Sequence, residues 1–573
     1  MKENELYNED LAPIPPGKRT WNKWHLAALW VGVAVCIPTY ILASYMIKSG
    51  LSWQAALIII TAANLFITIP MVLNGYAGVK YGIPFPVYGR ASFGVRGVHL
   101  PALLRSVVAC GWFGVQTWIG GLAVYSVFTI ITGQQFATGL NAEKFICFFL
   151  FWLLNIYFIW KGTEHIKRLE NFAAPVLIFI GLLLIFWGYQ QVNSFPIVLE
   201  QSPQLGKPLA LREKVQEKSV IVLQPIADAN GMNKADEYRI TNDKNAADGN
   251  WSALEKRGST LVPLTDELDV GFVQLRKKVA GGEAYIYSSI QPIQEAVVNN
   301  SQSWWNYLLW FTAMVGFWAT MSISISDITR FAKSQKDQVA GQFIGLPGTM
   351  LFYSFVGIFV TCAAVIAFND VLIAEDAPWD PVNLVSKFEQ KYLVLFAQLA
   401  LIMATLSTNI AANVIAPAYA ISNLYPKKIS FRWGGIIAGL AGIAMCPWLL
   451  LDSIGSILIF ISGLLGPIVG IMLCDYFIIR KRNLNINHLY SRQGEYGYGG
   501  SGINYKAVLA LVAGISVALI GRWVPQLDFL FTLSWFTGFI VAFILYMVLM
   551  KKDPHADKQE TSQEIEQPQM IAS

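Results

Sequence analysis

The chain has 573 residues, 54% of them hydrophobic and only 14% charged, with a mean hydropathy of +0.46. Ordinary soluble domains carry about 25% charged residues, so this sequence lacks the polar surface to cover several soluble cores and reads as an integral membrane protein. Its net charge of +5 comes from Lys and Arg in short clusters between apolar runs, a pattern of topology signals that argues against nucleic-acid binding.

Residues 1–23 are polar and Pro-rich, which reads as a cytoplasmic N-terminal segment without a cleavable signal, leaving the first span to direct insertion. Five segments near the roughly 20 residues a spanning helix needs follow: Trp24–Ile47, Trp53–Val79, Pro101–Thr132, Phe145–Trp160 and Phe172–Gln190. After a polar interval come seven more: Trp305–Ser326, Phe343–Phe368, Tyr392–Ile421, Trp433–Leu451, Ile454–Ile479, Tyr505–Val524 and Phe529–Met550. The prediction is an all-α protein of about twelve transmembrane helices.

Two of these helices contain breakers. In the first, Pro38 withholds a backbone donor and disfavours helix at the preceding residue; the sixth contains Val315-Gly316-Phe317-Trp318. Each opens a set of five spans, the pattern of an inverted-repeat transporter whose site lies at the membrane midplane. The repeats would be 24–190 and 304–480, followed by two helices in 481–550. A Pro or Gly that merely kinks a span is the plainer alternative for either segment alone.

Basic residues follow every even-numbered span: Lys80, Arg90 and Arg96; Lys161, Lys167 and Arg168; Arg330, Lys333 and Lys336; Lys427, Lys428 and Arg432; Arg480, Lys481 and Arg482. Odd-numbered connections are sparse in them, or acidic like Asp370, Glu375, Asp376 and Asp380. The positive-inside rule therefore places both termini in the cytoplasm. It also puts the interval 191–303 outside the cell membrane, where strand-like runs Ser219–Leu223 and Glu283–Tyr287 predict a small β-containing insertion. The tail 551–573 is polar and acid-rich, which predicts disorder. Six singly scattered cysteines form no disulfide or metal framework.

The third span contributes Trp112 and Gln116, four apart and hence on one helical face, offering a π surface and an amide. That pair suits a flat heterocycle, with Trp318 as an opposing ring and Asn413 of the eighth span as a second amide. Packing is the alternative for any one Trp among 19. In the eighth span Ala404, Ser407 and Thr408 share a face through i, i+3, i+4 spacing, so a carbonyl and two hydroxyls can converge there. Carbonyls freed near Gly32 and Val35, where the first helix unwinds, would complete an all-oxygen sodium shell. Alternatively, these hydroxyls bond their own helix or a neighbour. No Asp, Glu, Lys or His lies midway in the broken segments, which favours sodium over proton coupling and an uncharged substrate. It also leaves no acid–base pair or nucleophile for an enzyme, and no cofactor beyond the coupling ion is expected.

The chain resembles the nucleobase-cation symporter-1 family of carriers for hydantoins, allantoin, cytosine and uracil. The resemblance runs from Asn8–Pro13 through Lys80–Val87, Trp112–Gly121 and Ser407-Thr408-Asn409 to Cys474–Phe477. It implies a leucine-transporter-type fold, a 5+5 inverted repeat with broken helices 1 and 6. It places substrate contacts on Trp112, Gln116, Trp318 and Asn413, and sodium on the carbonyls of Gly32, Val35 and Ala404 with the hydroxyls of Ser407 and Thr408. Two departures from the hydantoin-carrying type stand in the same site: Cys36 replaces an amide and Phe317 replaces a Gly.

The expected activity is import of a neutral planar heterocycle, such as uracil or an allantoin- or hydantoin-like ureide, in symport with sodium, by a monomer in the lipid bilayer. A proton-coupled nucleobase symporter is the nearest alternative. A membrane ligand sensor whose insertion reports to a partner is the alternative from another class.

Overall fold

The computed structural model describes residues 5–551 apart from 135–138, 162, 206–208, 216–217, 229, 244–249, 264–270, 280, 296–303, 374–379 and 450–453. Glu375, Asp376 and the tail beyond residue 551 lie outside the described residues.

Helices occur wherever an apolar run of spanning length occurs. The second to fifth spans are Trp53–Tyr81, His99–Thr132, Ala142–Lys161 and Thr163–Gln190. The seventh is Gln335–Ala367, the ninth Phe431–Ala444 and the tenth Ile454–Leu473, which ends in a π-helical turn at Cys474–Ile479. The eleventh is Tyr505–Leu519, and the twelfth runs through Asp528–Thr532 and Ser534–Met550. The eighth comprises Lys391–Thr408, a π-helical turn at Asn409–Val414, and Ile415–Leu424.

The first and sixth spans break as expected. The first divides into Lys23–Ala34 and Ile37–Lys48, bent by 60°. Val35 (ψ 82) and Cys36 (ψ 160) lie outside helical geometry, and Pro38 sits in the first turn of the second half, where its missing N–H costs nothing. The sixth divides into Trp304–Phe317 and Ala319–Ser324, parted by Trp318. Gly316 is not the breaker. The helix runs through it, and a Cβ there would meet the Ser462 Oγ and the Leu458 carbonyl of the tenth span. Its role is close approach between two helices.

The seventh span lies along both halves of the first and along the second, while the eighth packs on the third and fifth. This arrangement surrounds the two breaks with helices, so their freed backbone groups are buried in protein instead of facing lipid.

Among the described residues the insertion forms nine short strands: Ala210–Val215 (β1), Lys218–Leu223 (β2), Glu237–Thr241 (β3), Ser252–Ala253 (β4), Thr260–Pro263 (β5), Phe272–Lys278 (β6), Tyr285–Tyr287 (β7), Gln291–Pro292 (β8) and Gln294–Glu295 (β9). One sheet has the order β5-β2-β1-β9; the other has β4-β3-β6-β7, with β8 also on β6. The insertion docks on the loop between the seventh and eighth spans. Leu372 and Ile373 of that loop share a buried cluster with Leu209, Ile221, Leu223, Val273 and Leu275. Lys234 Nζ donates to the Phe368 carbonyl, and Ile226 N to that of Leu372 at 3.4 Å. The same loop carries a short helix, Pro381–Ser386, capped by Asp380. Its Val382 is fully buried in a cluster with Ile37, Val115 and Ile119.

At the opposite end, which carries the basic loops, the N-terminal segment is packed against the helices. Asn8 donates to the Pro426 carbonyl (2.6 Å), Arg330 to that of Asp10 (3.0 Å) and Tyr490 to that of Leu11 (2.6 Å). Trp21 pairs with the backbone of Phe331 and Lys333. A buried ion pair, Arg480–Asp475 at 2.9 Å, holds the tenth span there; Tyr546 of the twelfth span and Ser92 of the loop after the second donate to the same carboxylate, at 2.7 and 3.2 Å.

Candidate functional site

The break in the first helix faces the eighth span. Ser407 Oγ lies 3.3 Å from the Gly32 carbonyl, while Thr408 Oγ1 lies 3.0 Å from that carbonyl and 3.2 Å from Val33 O. Thr405, three residues earlier than Thr408, bonds back to Leu401 O at 2.8 Å, the usual habit of a helical hydroxyl. Ser407 and Thr408 instead reach across to the unwound backbone. Val35 and Ala404 meet in one buried cluster beside these contacts. Gly32, Ser407 and Thr408 are thus brought together through neutral oxygens, and Val35 and Ala404 belong to one buried cluster.

The heterocycle candidates gather on the other side of the break. The Gln116 amide lies near the Cys36 thiol, and Cys36 Sγ is 3.3 Å from Thr39 Oγ1. Trp112 keeps part of its ring accessible and meets Phe317 edge-on, with centroids 5.6 Å apart and planes at 88°. Phe317, and not Trp318, is therefore the ring facing Trp112. Successive helical residues point about 100° apart, so only one of the pair can face the third span, and Trp318 turns to the fully buried Trp30 (5.4 Å, 89°) and to Phe317 (4.8 Å). Three polar atoms here are buried without a hydrogen-bond partner among the described residues: Gln116 Oε1, an acceptor, and the ring nitrogens of Trp318 and Trp30, donors.

Asn413 sits in the π-helical turn and donates to Asn409 Oδ1 at 3.2 Å. Asn409 Nδ2 lies 3.0 Å from Thr117 Oγ1, 3.3 Å from Phe113 O and 3.2 Å from Asn155 Oδ1. The proposed substrate amide is thereby tied to the third span at residues adjoining Trp112 and Gln116. A π turn rotates the helix face locally, so Asn413 and the hydroxyls of Thr408 and Ser407, five and six residues earlier, are presented in different directions.

Sequence reasoning missed two groups. Asn409, fully buried, is the hub between the third, fourth and eighth spans. Arg105, also fully buried, donates from Nε to Ser324 Oγ (3.1 Å) and from Nη2 to the Ala412 carbonyl (3.0 Å). Its signal was available, since a charged residue inside an apolar span marks function by default.

The chain is similar to known proteins over nearly all of its length. Residues 13–213 and 286–538 match the family model described as permease for cytosine/purines, uracil, thiamine and allantoin, leaving the centre of the insertion unmatched. An allantoin permease of Bacillus subtilis is 34% identical, the alignment covering 97% of this chain and 95% of that protein. A purine-uracil permease of Arabidopsis thaliana is 32% identical over 96% of this chain and 78% of its own length. Among solved structures, a nucleobase-cation-symport-1 family transporter in a closed conformation with bromovinylhydantoin bound superposes with a TM-score of 0.67 at 22% identity, covering 97% of this chain and 96% of that one.

Proposed function

The chain belongs to the family of permeases for cytosine and purines, uracil, thiamine and allantoin and is a multi-pass membrane transporter; from this we propose that it imports a neutral planar nitrogen heterocycle in symport with sodium, by alternating access. Uracil-like bases and allantoin-like ureides lead the substrate list. The observation that carries the reading is the unpartnered buried acceptor Gln116 Oε1, one helical turn from the partly accessible Trp112 on the same face of the third span. A buried acceptor or donor without a partner costs about 1–3 kcal/mol. A ring whose edge carries an N–H supplies the missing partner of Gln116 while its face stacks on Trp112.

Sodium suits the neighbouring oxygens, because a hard cation takes carbonyl and hydroxyl ligands and the Gly32 carbonyl already gathers both hydroxyls. On binding, the hydroxyls would turn their lone pairs inward and the ion would hold the first and eighth spans together, raising substrate affinity through its preference for that state. The basic end would face the cytoplasm and the insertion the outside.

One observation favours proton coupling as the second reading. Asp327, at the end of the sixth span, is buried, and its Oδ2 has no partner among the described residues. Uptake in proteoliposomes separates the two. Labelled uracil and allantoin, each competed by cytosine, adenine, hydantoin and thiamine, should accumulate with an inward sodium gradient. Uptake indifferent to replacing sodium by choline, but abolished by collapsing a proton gradient, would overturn the sodium assignment.

A further inference from the structure

Arg105 lies seven residues before Trp112 on the third span, two turns or about 10 Å closer to the basic end and on the same face. Its two bonds join elements that the proposed transport cycle must separate. Ser324 closes the short stretch Ala319–Ser324 that follows the break of the sixth helix. Ala412 belongs to the π-helical turn and immediately precedes Asn413. Because a π turn displaces a carbonyl from the regular ladder, Arg105 supplies a charged donor at the place where the eighth helix is irregular.

A buried guanidinium is costly unless its donors are used. Here Nη1 is left without a partner among the described residues, and so is Asp327 Oδ2, on a residue near enough to Arg105 to interact electrostatically. Asp327 Oδ1 is engaged by Phe85 N at 2.6 Å. Spare polar groups on both residues fit a side chain that changes partners.

We infer that Arg105 is a positioning residue that couples the substrate-bearing turn of the eighth helix to closure at the basic end: its bond to Ser324 holds the inner stretch of the sixth helix against the third and eighth spans, and its bond to Ala412 sets the direction of Asn413. Opening toward the basic end releases Ser324 while Ala412 is retained. The link to substrate rests on the reading of Asn413 given above; the closure does not.

The test combines hydrogen exchange on the purified full chain with binding of labelled allantoin and uracil. Ser324→Ala should raise exchange at least fivefold in residues 319–329, with exchange at 409–414 and the dissociation constants within twofold of wild type. Arg105→Gln should raise exchange in both segments and weaken binding at least fivefold, and Arg105→Lys should recover part of either effect. Unchanged exchange in both segments for Arg105→Gln would overturn the inference, as would a uniform rise across all spans with a lowered Tm, the mark of general destabilisation. If neither probe binds wild type, the substrate reading fails and the exchange pattern alone still decides the closure.

Discussion

Thr408 Oγ1 stands 3.0 Å from the carbonyl of Gly32, 376 residues earlier in the chain, at the point where the first helix loses its regular bonding. The hydroxyl is held by the break and not by its own helix. Thr408→Val preserves shape and removes the oxygen, as Ser407→Ala does nearby. Each should raise the sodium concentration for half-maximal uptake at least tenfold, about 1.4 kcal/mol, with maximal uptake recovered at high sodium. Sodium titration of labelled allantoin or uracil uptake measures this; an unshifted titration for both variants removes the ion site.

Trp112 and Gln116 should fail differently. Aromatic stacking contributes on the order of 0.5–3 kcal/mol, so Trp112→Ala should weaken every substrate by roughly two- to hundredfold, while Trp112→Phe retains most of the affinity. Gln116→Leu removes the buried unpartnered acceptor and should change the ranking among heterocycles, with rings that present an N–H to this amide losing most. Competition curves over the same panel would distinguish a uniform loss from a reordered one.

The docked insertion makes a pH-dependent prediction. Lys234, buried at the junction with Phe368, has its amine pushed down to about 8 by burial, with Lys277 adding to the effect. The folded state therefore holds this proton less tightly than the unfolded state. Stability gained through Lys234 is absent below about 8 and rises with pH between there and the ordinary lysine value. Lys234→Met should flatten that rise in thermal unfolding of the insertion. A wild-type profile without a rise over this window refutes the assignment.

Removing the insertion should act on the outer side of the site. Its contacts with Phe368, Leu372 and Ile373 steady the loop whose Val382 packs with Ile37 and Val115, close to Trp112. Replacing residues 210–295 by a short Gly/Ser linker should leave the spans folded and raise the KM for uptake several-fold. An unchanged KM would mean that docking has no consequence for the site.

The twelve spans and the two breaks were legible because the bilayer imposes length and apolarity on every crossing, and Pro38 forbids regular helix by its own chemistry. Ser407 and Thr408 were legible as polar groups without charge in apolar surroundings. Gly316 misled because a glycine allows either a break or a close approach, and only the tenth span's position decides between them. Phe317 and Trp318 could not be ordered, since one break residue rotates all that follow. The packing of the N-terminal segment was hidden for another reason: its partners are largely backbone carbonyls, which every sequence possesses.

The Asp475–Arg480 pair gives a prediction away from the transport path. Asp475 is fully buried and accepts from Arg480, Tyr546 and Ser92. Removing one partner of a buried pair leaves an uncompensated charge and costs about 3–5 kcal/mol. Arg480→Met should therefore destabilise severely. Asp475→Asn should be milder, because the neutral amide keeps an acceptor for Tyr546 or Ser92 and Arg480 retains Ala91 O and Tyr498. The double variant Asp475→Asn with Arg480→Met should recover much of the loss, since no buried charge remains. Thermal unfolding in detergent ranks the three, and substrate affinity of the folded fraction should stay at the wild-type value, because the pair fastens the tenth and twelfth spans at the basic end. A double variant no more stable than Arg480→Met would show that geometry, not charge compensation, is what this pair provides.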